Sequence, residues 1–317
     1  MTTLLRPPTR EYRTPIQDSS RWDGYRPRSG DIIVATYPKC GTTWTQRIVD
    51  MLIHQSTAPR PIMEAYPWLD ATFFDPLDAT LDRLEAQTHR RSIKSHLPFD
   101  SLPLFDDVQY IHVARDGRDA CFSMHNHQLG FTGFANHSRA EAAKASGQPS
   151  AAPPPVPEDP REYYLQWIAD AEAGGSAFRQ APFFEFEMTY WSERARPNVL
   201  LVHYNDLKAD LEGEIRRISA FLEIDTPDGL VSEMSNAAHF DAMRADGEAL
   251  LPGINERFDH GHLRFLNKGT NGRWRDVLGD EDLARYAALV EQRLPPALAS
   301  WIEHGRLTAG EPRSIGD

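Results

Sequence analysis

One stretch near the start of the chain constrains the fold most, because it reads as a buried strand, a short loop and a helix in direct succession. The run from Asp31 to Thr36 is rich in β-branched residues and has strand character. Apolar residues then recur at helical spacing from Ile48 to Leu52. The loop between them reads Tyr37-Pro38-Lys39-Cys40-Gly41-Thr42-Thr43-Trp44. Such a junction is typical of a parallel α/β sheet, so we expect the loop at the carboxyl end of its strand.

This loop carries groups that bind an anion. The first N–H groups of a helix lack intrahelical partners, and with the helix dipole they favour phosphate or sulfate. Gly41 lets the main chain approach a ligand, the next two threonines add hydroxyls, and Lys39 adds a cation. In the usual nucleoside-triphosphate loop the lysine follows the second glycine, whereas here it precedes the glycine by two residues. The alternative is an ordinary turn capped by a threonine.

Three more strands are predicted downstream. They span Arg91 to His96, Gln109 to Arg115 and Asn198 to Tyr204, with helical patterns between them. Strands that alternate with helices predict an α/β fold with a P-loop-like central parallel sheet and helices on both faces.

The length predicts a single domain over residues 1–317. Residues 1–29 are interpreted as a loosely packed arm that leads into the first strand. The composition changes to Ala, Ser, Gln and Pro over about residues 138–160, which predicts a mobile or extended insertion. This insertion is either a passive surface loop or a lid over the site.

Charge and cysteine content limit the possible partners and compartments. With 34 Lys and Arg against 46 Asp and Glu, the net charge is −12, which disfavours nucleic acids and anionic membranes as partners. A small anionic ligand needs only a local cluster of cations. The two cysteines, Cys40 and Cys121, are too few for a disulfide framework. We find no secretory signal and no membrane-spanning apolar run, so the prediction is a cytoplasmic protein; the sequence makes no prediction of oligomeric state.

Two side chains at the end of the second strand suit acid–base and charge chemistry. Residues two apart in a strand point to the same face, so Lys94 and His96 should emerge together at the carboxyl end of the sheet. A histidine titrates near neutral pH and can accept the proton of an attacking hydroxyl. We interpret His96 as a general base, with a purely structural histidine as the alternative.

The third strand ends in a residue suited to phosphate. Arg115 presents a planar fork of donors to an anion, the alternative being a salt bridge to a nearby aspartate. Asp116 and Asp119 are interpreted as helix-capping residues.

Four segments together resemble motifs of the cytosolic sulfotransferases that use PAPS (3′-phosphoadenosine 5′-phosphosulfate). The loop from Tyr37 to Trp44 is similar to the family's 5′-phosphosulfate loop. Lys94-Ser95-His96-Leu97-Pro98 is similar to its catalytic strand end. The stretch from Val113 to Ser123 resembles its 3′-phosphate motif, in which an arginine precedes a serine by eight residues. The stretch from Arg264 to Trp274 resembles the segment that closes over the 3′-phosphate.

The last of these segments departs from the family pattern at two positions. Asn267 stands where the family usually has arginine, and Arg273 where it usually has an acidic or amide residue. A phosphate contact through Asn267 is weaker than one through arginine. Lys268 and the Gly269 amide can still hold the phosphate, and Arg273 can restore charge from another side.

The resemblance implies a complete set of site residues. Lys39 would stabilise the departing phosphate oxygen, Lys94 the bridging or sulfuryl oxygens, and His96 would take the acceptor proton, with no metal required. The implied catalytic residues are Lys39, Lys94, His96 and Ser123. The implied cofactor-binding residues are Lys39, Cys40, Gly41, Thr42, Thr43, Trp44, Arg115, Ser123, Tyr204, Phe240, Asn267, Lys268 and Gly269. The aromatic members would contact adenine, with core packing as the alternative.

The implied activity is in-line transfer of the sulfuryl group from PAPS to a hydroxyl of a small-molecule or glycolipid acceptor, releasing 3′-phosphoadenosine 5′-phosphate (PAP). The alternatives are an ATP-dependent small-molecule kinase of the phosphate-loop class and a non-catalytic nucleotide-binding protein. Lys39, Lys94 and His96 together favour the sulfotransferase. Aromatic residues available for an acceptor pocket or for the core are Trp68, Phe73, Phe74, Phe183, Phe184 and Trp191. Histidine pairs at 125/127 and 260/262 have no acidic or cysteine cluster beside them in sequence, so no metal site is predicted.

Overall fold

A computed structural model of the chain describes residues 2–145, 155–174 and 181–316. The predicted insertion at 138–160 lies partly outside these ranges, since residues 146–154 are not among them. Its first residues, 138–145, belong to a helix.

The described residues form eight strands and seventeen α-helices. The strands are β1 (Leu4–Arg6), β2 (Arg13–Thr14), β3 (Gln17–Asp18), β4 (Ile32–Thr36), β5 (Ser92–Ser95), β6 (Leu104–Phe105), β7 (Gln109–Ala114) and β8 (Val199–His203). The helices are α1 (Thr42–His54), α2 (Ile62–Ala65), α3 (Leu77–Ala86), α4 (Gly117–Leu129), α5 (Gly133–Ala145), α6 (Pro160–Glu172), α7 (Phe183–Trp191), α8 (Tyr204–Ala209), α9 (Leu211–Phe221), α10 (Asp228–Ala238), α11 (Phe240–Ala245), α12 (Gly247–Leu250), α13 (Ile254–Arg257), α14 (His262–Phe265), α15 (Asp280–Arg293), α16 (Pro296–His304) and α17 (Arg306–Ala309). Within the described ranges, no helix combines the length and the apolar character needed to cross a membrane.

Four strands form the central sheet, in the order β5-β4-β7-β8 and with every neighbouring pair parallel. Each of them lies inside the range predicted from the sequence and is shorter by one or two residues. The predicted fold class, a parallel sheet within an α/β architecture, is therefore confirmed.

Both faces of this sheet are buried. Along β4, Ile33 and Ala35 pack into one hydrophobic cluster, whereas Ile32 and Val34 pack into a second. The alternation follows from the two-residue period of a strand. The second cluster contains residues of α1, α9 and α10, and the first contains residues of α6, α7, α15 and α16, so helices cover the sheet on both sides. Three aromatic residues considered above for an acceptor pocket belong to the first cluster, namely Phe183, Phe184 and Trp191.

The carboxyl ends of the four central strands meet at one edge of the sheet. The anion loop follows β4, His96 follows β5, Arg115 follows β7 and Tyr204 follows β8. Because parallel strands end on the same side, segments separated by more than 150 residues in sequence converge there.

The N-terminal arm is packed more closely than predicted. Its strand β1 pairs with β6 in an antiparallel arrangement, and Trp22 and Tyr25 are buried in the main core. The Gln17 side-chain amide donates to the carbonyl oxygen of His96 at 2.8 Å. The arm therefore supports the edge of the sheet where His96 lies.

Candidate active site

A cavity of about 630 Å³ opens at this edge of the sheet. Its lining carries nine basic side chains and three carboxylates. The basic residues are Lys39, Arg83, Lys94, Arg115, Arg139, Lys208, Arg257, Lys268 and Arg273, and the acidic ones are Glu64, Asp75 and Asp241. The cavity is thus locally positive in a chain whose net charge is −12. This is the local cation cluster that a small anionic ligand requires.

The loop after β4 presents unpaired backbone donors at the start of α1. Within the described part of the chain, the N–H groups of Thr42, Thr43 and Trp44 have no hydrogen-bond acceptor. Gly41 caps the helix with φ +114°, and a Cβ there would lie 3.1 Å from the Tyr204 ring. The backbone angle therefore favours glycine, and a Cβ would also crowd the Tyr204 ring. The arrangement can bind an anion through three donors and the helix dipole.

Lys39 lies inside the cavity in an unusual backbone conformation, with φ +73°. Its Nζ is 3.3 Å from Nδ1 of His127 and 5.0 Å from the centroid of the Phe265 ring. Burial, followed by the charges of Lys94, Arg115 and Arg273, lowers the pKa of Lys39 to about 7. The contact with His127 was not anticipated from the sequence, where this histidine was considered only as half of a metal-binding pair.

Lys94 lies near the carboxyl end of β5 and His96 directly follows this strand, and both line the cavity, as predicted. Burial lowers the pKa of Lys94 to about 8, and its Nζ lies 4.5 Å from the centroid of the Trp68 ring. His96 Nδ1 is 2.7 Å from the carbonyl oxygen of Thr36. Since a carbonyl oxygen only accepts, the proton is assigned to Nδ1, which leaves the lone pair on Nε2. Burial and the Lys94 charge hold the pKa of His96 well below its usual value, so the ring is neutral near pH 7.

A buried carboxylate that sequence reasoning missed supports this pair. Asp70 accepts from the indole N–H of Trp68 at 2.7 Å, and from the His96 backbone N–H and the Gln17 amide at 3.3 Å each. Burial raises the pKa of Asp70, and its charge favours the protonated form of Lys94. No local motif marks Asp70, because its partners come from three separate parts of the chain.

Arg115 forms hydrogen bonds both to the anion loop and to the segment from Arg264 to Trp274. Its guanidinium donates to the Lys39 carbonyl oxygen at 3.1 Å and to the Thr270 carbonyl oxygen at 3.0 Å. Two of its N–H groups also donate to Oδ1 of Asn271, at 3.0 and 2.6 Å. The guanidinium stacks 4.2 Å from the centroid of the Tyr204 ring. Most of its donors are therefore engaged by protein acceptors, and a phosphate at Arg115 would take the place of some of them.

Two further contacts hold the segment from Arg264 to Trp274 over the cavity. The Gly272 N–H donates to Oδ1 of Asp119 at 2.7 Å, so this aspartate holds the segment. Gly269 has φ +62°, and a Cβ there would lie 2.5 Å from the Phe240 ring. Arg273, which departs from the family pattern, lines the same cavity, where burial and Arg115 lower its pKa.

The cavity brings together all but one of the predicted site residues. Its lining includes Lys39, Gly41, Thr42, Thr43, Trp44, Lys94, His96, Arg115, Ser123, Tyr204, Phe240, Asn267, Lys268 and Gly269. Cys40 is the exception, because its thiol is buried in the core and its N–H is bonded to the Tyr37 carbonyl oxygen at 3.3 Å. Trp44 and Tyr204 meet edge to face, with ring centroids 5.3 Å apart.

The aromatic and histidine candidates divide between cavity and core. Trp68, Phe73 and Phe74 line the cavity. His125 donates from Nε2 to the Pro157 carbonyl oxygen, 2.8 Å away, and does not line the cavity. Among the residues that the structure describes, no group of three or more His, Cys, Asp or Glu side chains could hold a metal ion.

Comparison with known proteins agrees with this geometry. A sequence profile described as the sulfotransferase domain matches residues 29–296. A glycolipid sulfotransferase of Mycobacterium bovis is 34% identical over 313 residues, covering 93% of this chain and 94% of the relative. Sulfotransferase 1 family member D1 of Rattus norvegicus is 25% identical and covers 81% of each chain.

Solved structures share the fold. Retinol dehydratase in complex with androsterone and the inactive cofactor PAP superimposes with a TM-score of 0.69 at 22% identity, covering 87% of this chain and 84% of that chain. A mouse sulfotransferase complexed with PAP gives a TM-score of 0.64 at 18% identity, covering 88% and 89%. The profile match and the 34% identical relative confirm the predicted activity class: the chain belongs to the sulfotransferase family and is a sulfotransferase.

Proposed function

We propose that this sulfotransferase moves the sulfuryl group of PAPS to a hydroxyl of a small-molecule or glycolipid acceptor, with His96 as general base. The observation that carries the proposal is the convergence of the three N–H groups at the start of α1, two half-buried lysines and a neutral His96 in one cavity. PAPS carries two phosphates and a sulfuryl group, so it suits a cavity whose basic residues outnumber its acidic ones by nine to three.

The protein residues supply charge, position and a proton acceptor. The N–H groups at the start of α1 and the Lys39 ammonium meet the negative charge that develops on the departing phosphate oxygen. Lys94 neutralises the sulfuryl oxygens. His96 takes the proton of the attacking hydroxyl at Nε2, because Nδ1 is held protonated by the Thr36 carbonyl. Arg115, Ser123, Lys268 and Arg273 supply positive charge and donors for the 3′-phosphate.

Two observations support an amphiphilic acceptor: the name of a related protein and the aromatic residues that line the cavity. The relative at 34% identity is named a glycolipid sulfotransferase. Trp68, Phe73 and Phe74 form an apolar wall next to His96, with the Trp68 ring centroid 4.7 Å from that of His96. An aromatic wall binds the apolar faces of sugars, steroids and acyl chains.

We further propose that residues 1–317 form one sulfotransferase domain with an arm at 1–29 and an insertion at about 138–160, since the profile match runs from 29 to 296. A cytoplasmic location is supported by Cys40 and Cys121, which are both free and buried thiols.

The difference in affinity between PAP and AMP tests which residues bind the 3′-phosphate of the donor. Arg115, Ser123 and Lys268 are assigned to the 3′-phosphate, so PAP should bind at least about tenfold more tightly than AMP, a difference of about 1.4 kcal/mol. Thermal-shift titration measures this, because a bound ligand stabilises the folded state by mass action. Arg115→Ala should remove most of the difference. Equal shifts with PAP and AMP, or a larger shift with ATP and Mg²⁺, would contradict the assignment.

Donor binding should also depend on pH. Because the pKa of Lys39 is about 7 in the ligand-free protein, Lys39 loses its proton as the pH rises through that value. The anion prefers the protonated lysine, so PAP affinity should be highest below about pH 7 and should fall above it, by a factor no larger than the loss of PAP affinity in Lys39→Met. The second phosphate ionisation, near about pH 6, is complete in this range and does not oppose the trend.

Calorimetry between about pH 7 and pH 9 in buffers of different ionisation enthalpy would count the proton taken up on binding. Lys94, whose pKa is about 8, contributes in the same direction at higher pH. A PAP affinity that stays constant or rises over this range would show that neither lysine changes protonation when the nucleotide binds.

A further inference from the structure

We propose that the acceptor carries an anionic group, a carboxylate or phosphate, at the end remote from its reacting hydroxyl, and that Arg257 binds this group. The inference rests on the proposed function and narrows its acceptor class. It is carried by the path from His96 to Arg257 along the cavity and by the finding that no described carboxylate forms a salt bridge with that arginine.

A continuous row of aromatic rings connects the two residues. Trp68 stands edge to face on His96, with ring centroids 4.7 Å apart. Phe74 lies 6.0 Å from Trp68 and 4.4 Å from Phe73. The Arg257 guanidinium stacks on Phe74, with Cζ 4.5 Å from the ring centroid. An acceptor whose hydroxyl reaches His96 and whose body follows this wall therefore ends at a guanidinium.

Within the described part of the chain, no carboxylate forms a salt bridge with Arg257. Arg257 is half-buried; burial lowers its pKa, and the charges of Glu256 and Asp75, which lie beyond salt-bridge distance, act in the opposite direction. Among the residues that the structure describes, its side chain also donates no hydrogen bond. Asp75, the acidic residue of the same rim, is already paired with Arg83 at 2.6 Å. A half-buried guanidinium presents a planar fork that matches carboxylate or phosphate oxygens.

Backbone contacts hold the main chain around Arg257, and stacking on Phe74 places its guanidinium. The carbonyl oxygen of Arg257 accepts from the Thr132 N–H at 3.0 Å, and Phe131 and Phe258 form an antiparallel bridge. A second cation flanks the same rim, because the Arg139 guanidinium stacks 4.5 Å from the Phe131 ring centroid. Two stacked arginines thus border the outer part of the acceptor wall.

The test compares two acceptors that differ only in charge, 12-hydroxydodecanoate and its methyl ester. With PAPS as donor, the acid should be sulfated with a kcat/KM at least about tenfold higher than the ester, the effect of one charge-assisted contact. Arg257→Gln should remove most of this preference while leaving the ester rate within about twofold. Arg83→Lys is the matched control, since position 83 lines the same rim and a lysine keeps a cation beside Asp75, and it should retain the preference.

Equal or faster turnover of the ester by the natural protein would overturn the inference and leave the proposed function intact. A preference that survives in Arg257→Gln would overturn the assignment to Arg257. If neither compound accepted sulfate, the proposed acceptor chemistry would fail, and calorimetry of dodecanoate binding to the PAP-loaded protein would still decide the inference. Binding that Arg257→Gln weakens about tenfold supports it, and absence of binding overturns it.

Discussion

Replacing His96 by alanine is expected to lower kcat by about a hundredfold or more while PAP affinity changes by no more than a few fold. The bond from Nδ1 to the Thr36 carbonyl oxygen leaves the lone pair on Nε2. Burial keeps the pKa of the ring well below its usual value, so the base is already unprotonated at neutral pH. Its removal takes away a proton acceptor for the hydroxyl but no group assigned to the nucleotide. Steady-state turnover with one acceptor and calorimetry with PAP measure the two effects separately.

A variant of similar shape, His96→Asn, distinguishes a general base from a purely structural histidine. In His96→Asn the side-chain amide can still donate to the Thr36 carbonyl oxygen but cannot accept a proton at neutral pH, so its turnover should be as low as that of the alanine variant. His125→Asn is the control, because His125 bonds to the Pro157 carbonyl oxygen and does not line the cavity. Turnover within a few fold of the natural protein in His96→Asn would remove His96 as the general base.

Continuous motifs explain why much of the site could be predicted from the sequence. The anion loop, His96 and Arg115 each follow directly after a strand, Lys94 lies near the end of β5, and parallel strands bring their carboxyl ends to one edge. The order of the strands along the chain was therefore sufficient to predict that these residues meet. Cys40 shows the limit of the same reasoning, since a loop residue adjacent to Lys39 and Gly41 can point into the core.

The contacts that position these residues could not be predicted, because they join separate parts of the chain. Gln17 comes from the N-terminal arm, Asp70 from an irregular segment, and both bond to the main chain of His96. Asn271 meets Arg115 across 156 positions. No periodicity or spacing marks such partners. Phe73 and Phe183 illustrate the same difficulty, since one lines the cavity and the other lies in the core, although both are aromatic residues outside a strand.

Replacing Lys39 by methionine is expected to reduce kcat by about 10²–10³-fold with a much smaller loss of PAP affinity. Methionine keeps much of the length of the side chain and removes the ammonium. In the ligand-free protein Lys39 has a pKa of about 7 and Nζ lies 3.3 Å from His127, so its positive charge is only partly present before the donor binds. The charge matters most when negative charge builds up on the departing phosphate oxygen, which happens only in the transition state.

Two further variants test whether Lys39 acts on the transition state or binds the ground-state donor. Lys39→Arg should also turn over poorly, because a planar guanidinium does not fit the place of a compact ammonium between His127 and Phe265. Lys268→Met should give the opposite pattern, since Lys268 is exposed at the rim and assigned to the 3′-phosphate. Its PAP affinity should fall while kcat at saturating PAPS changes little. If Lys39→Met instead lost affinity and kcat in equal proportion, Lys39 would hold the ground-state donor, and the transition-state charge would have to come from Lys94 and the N–H groups of α1.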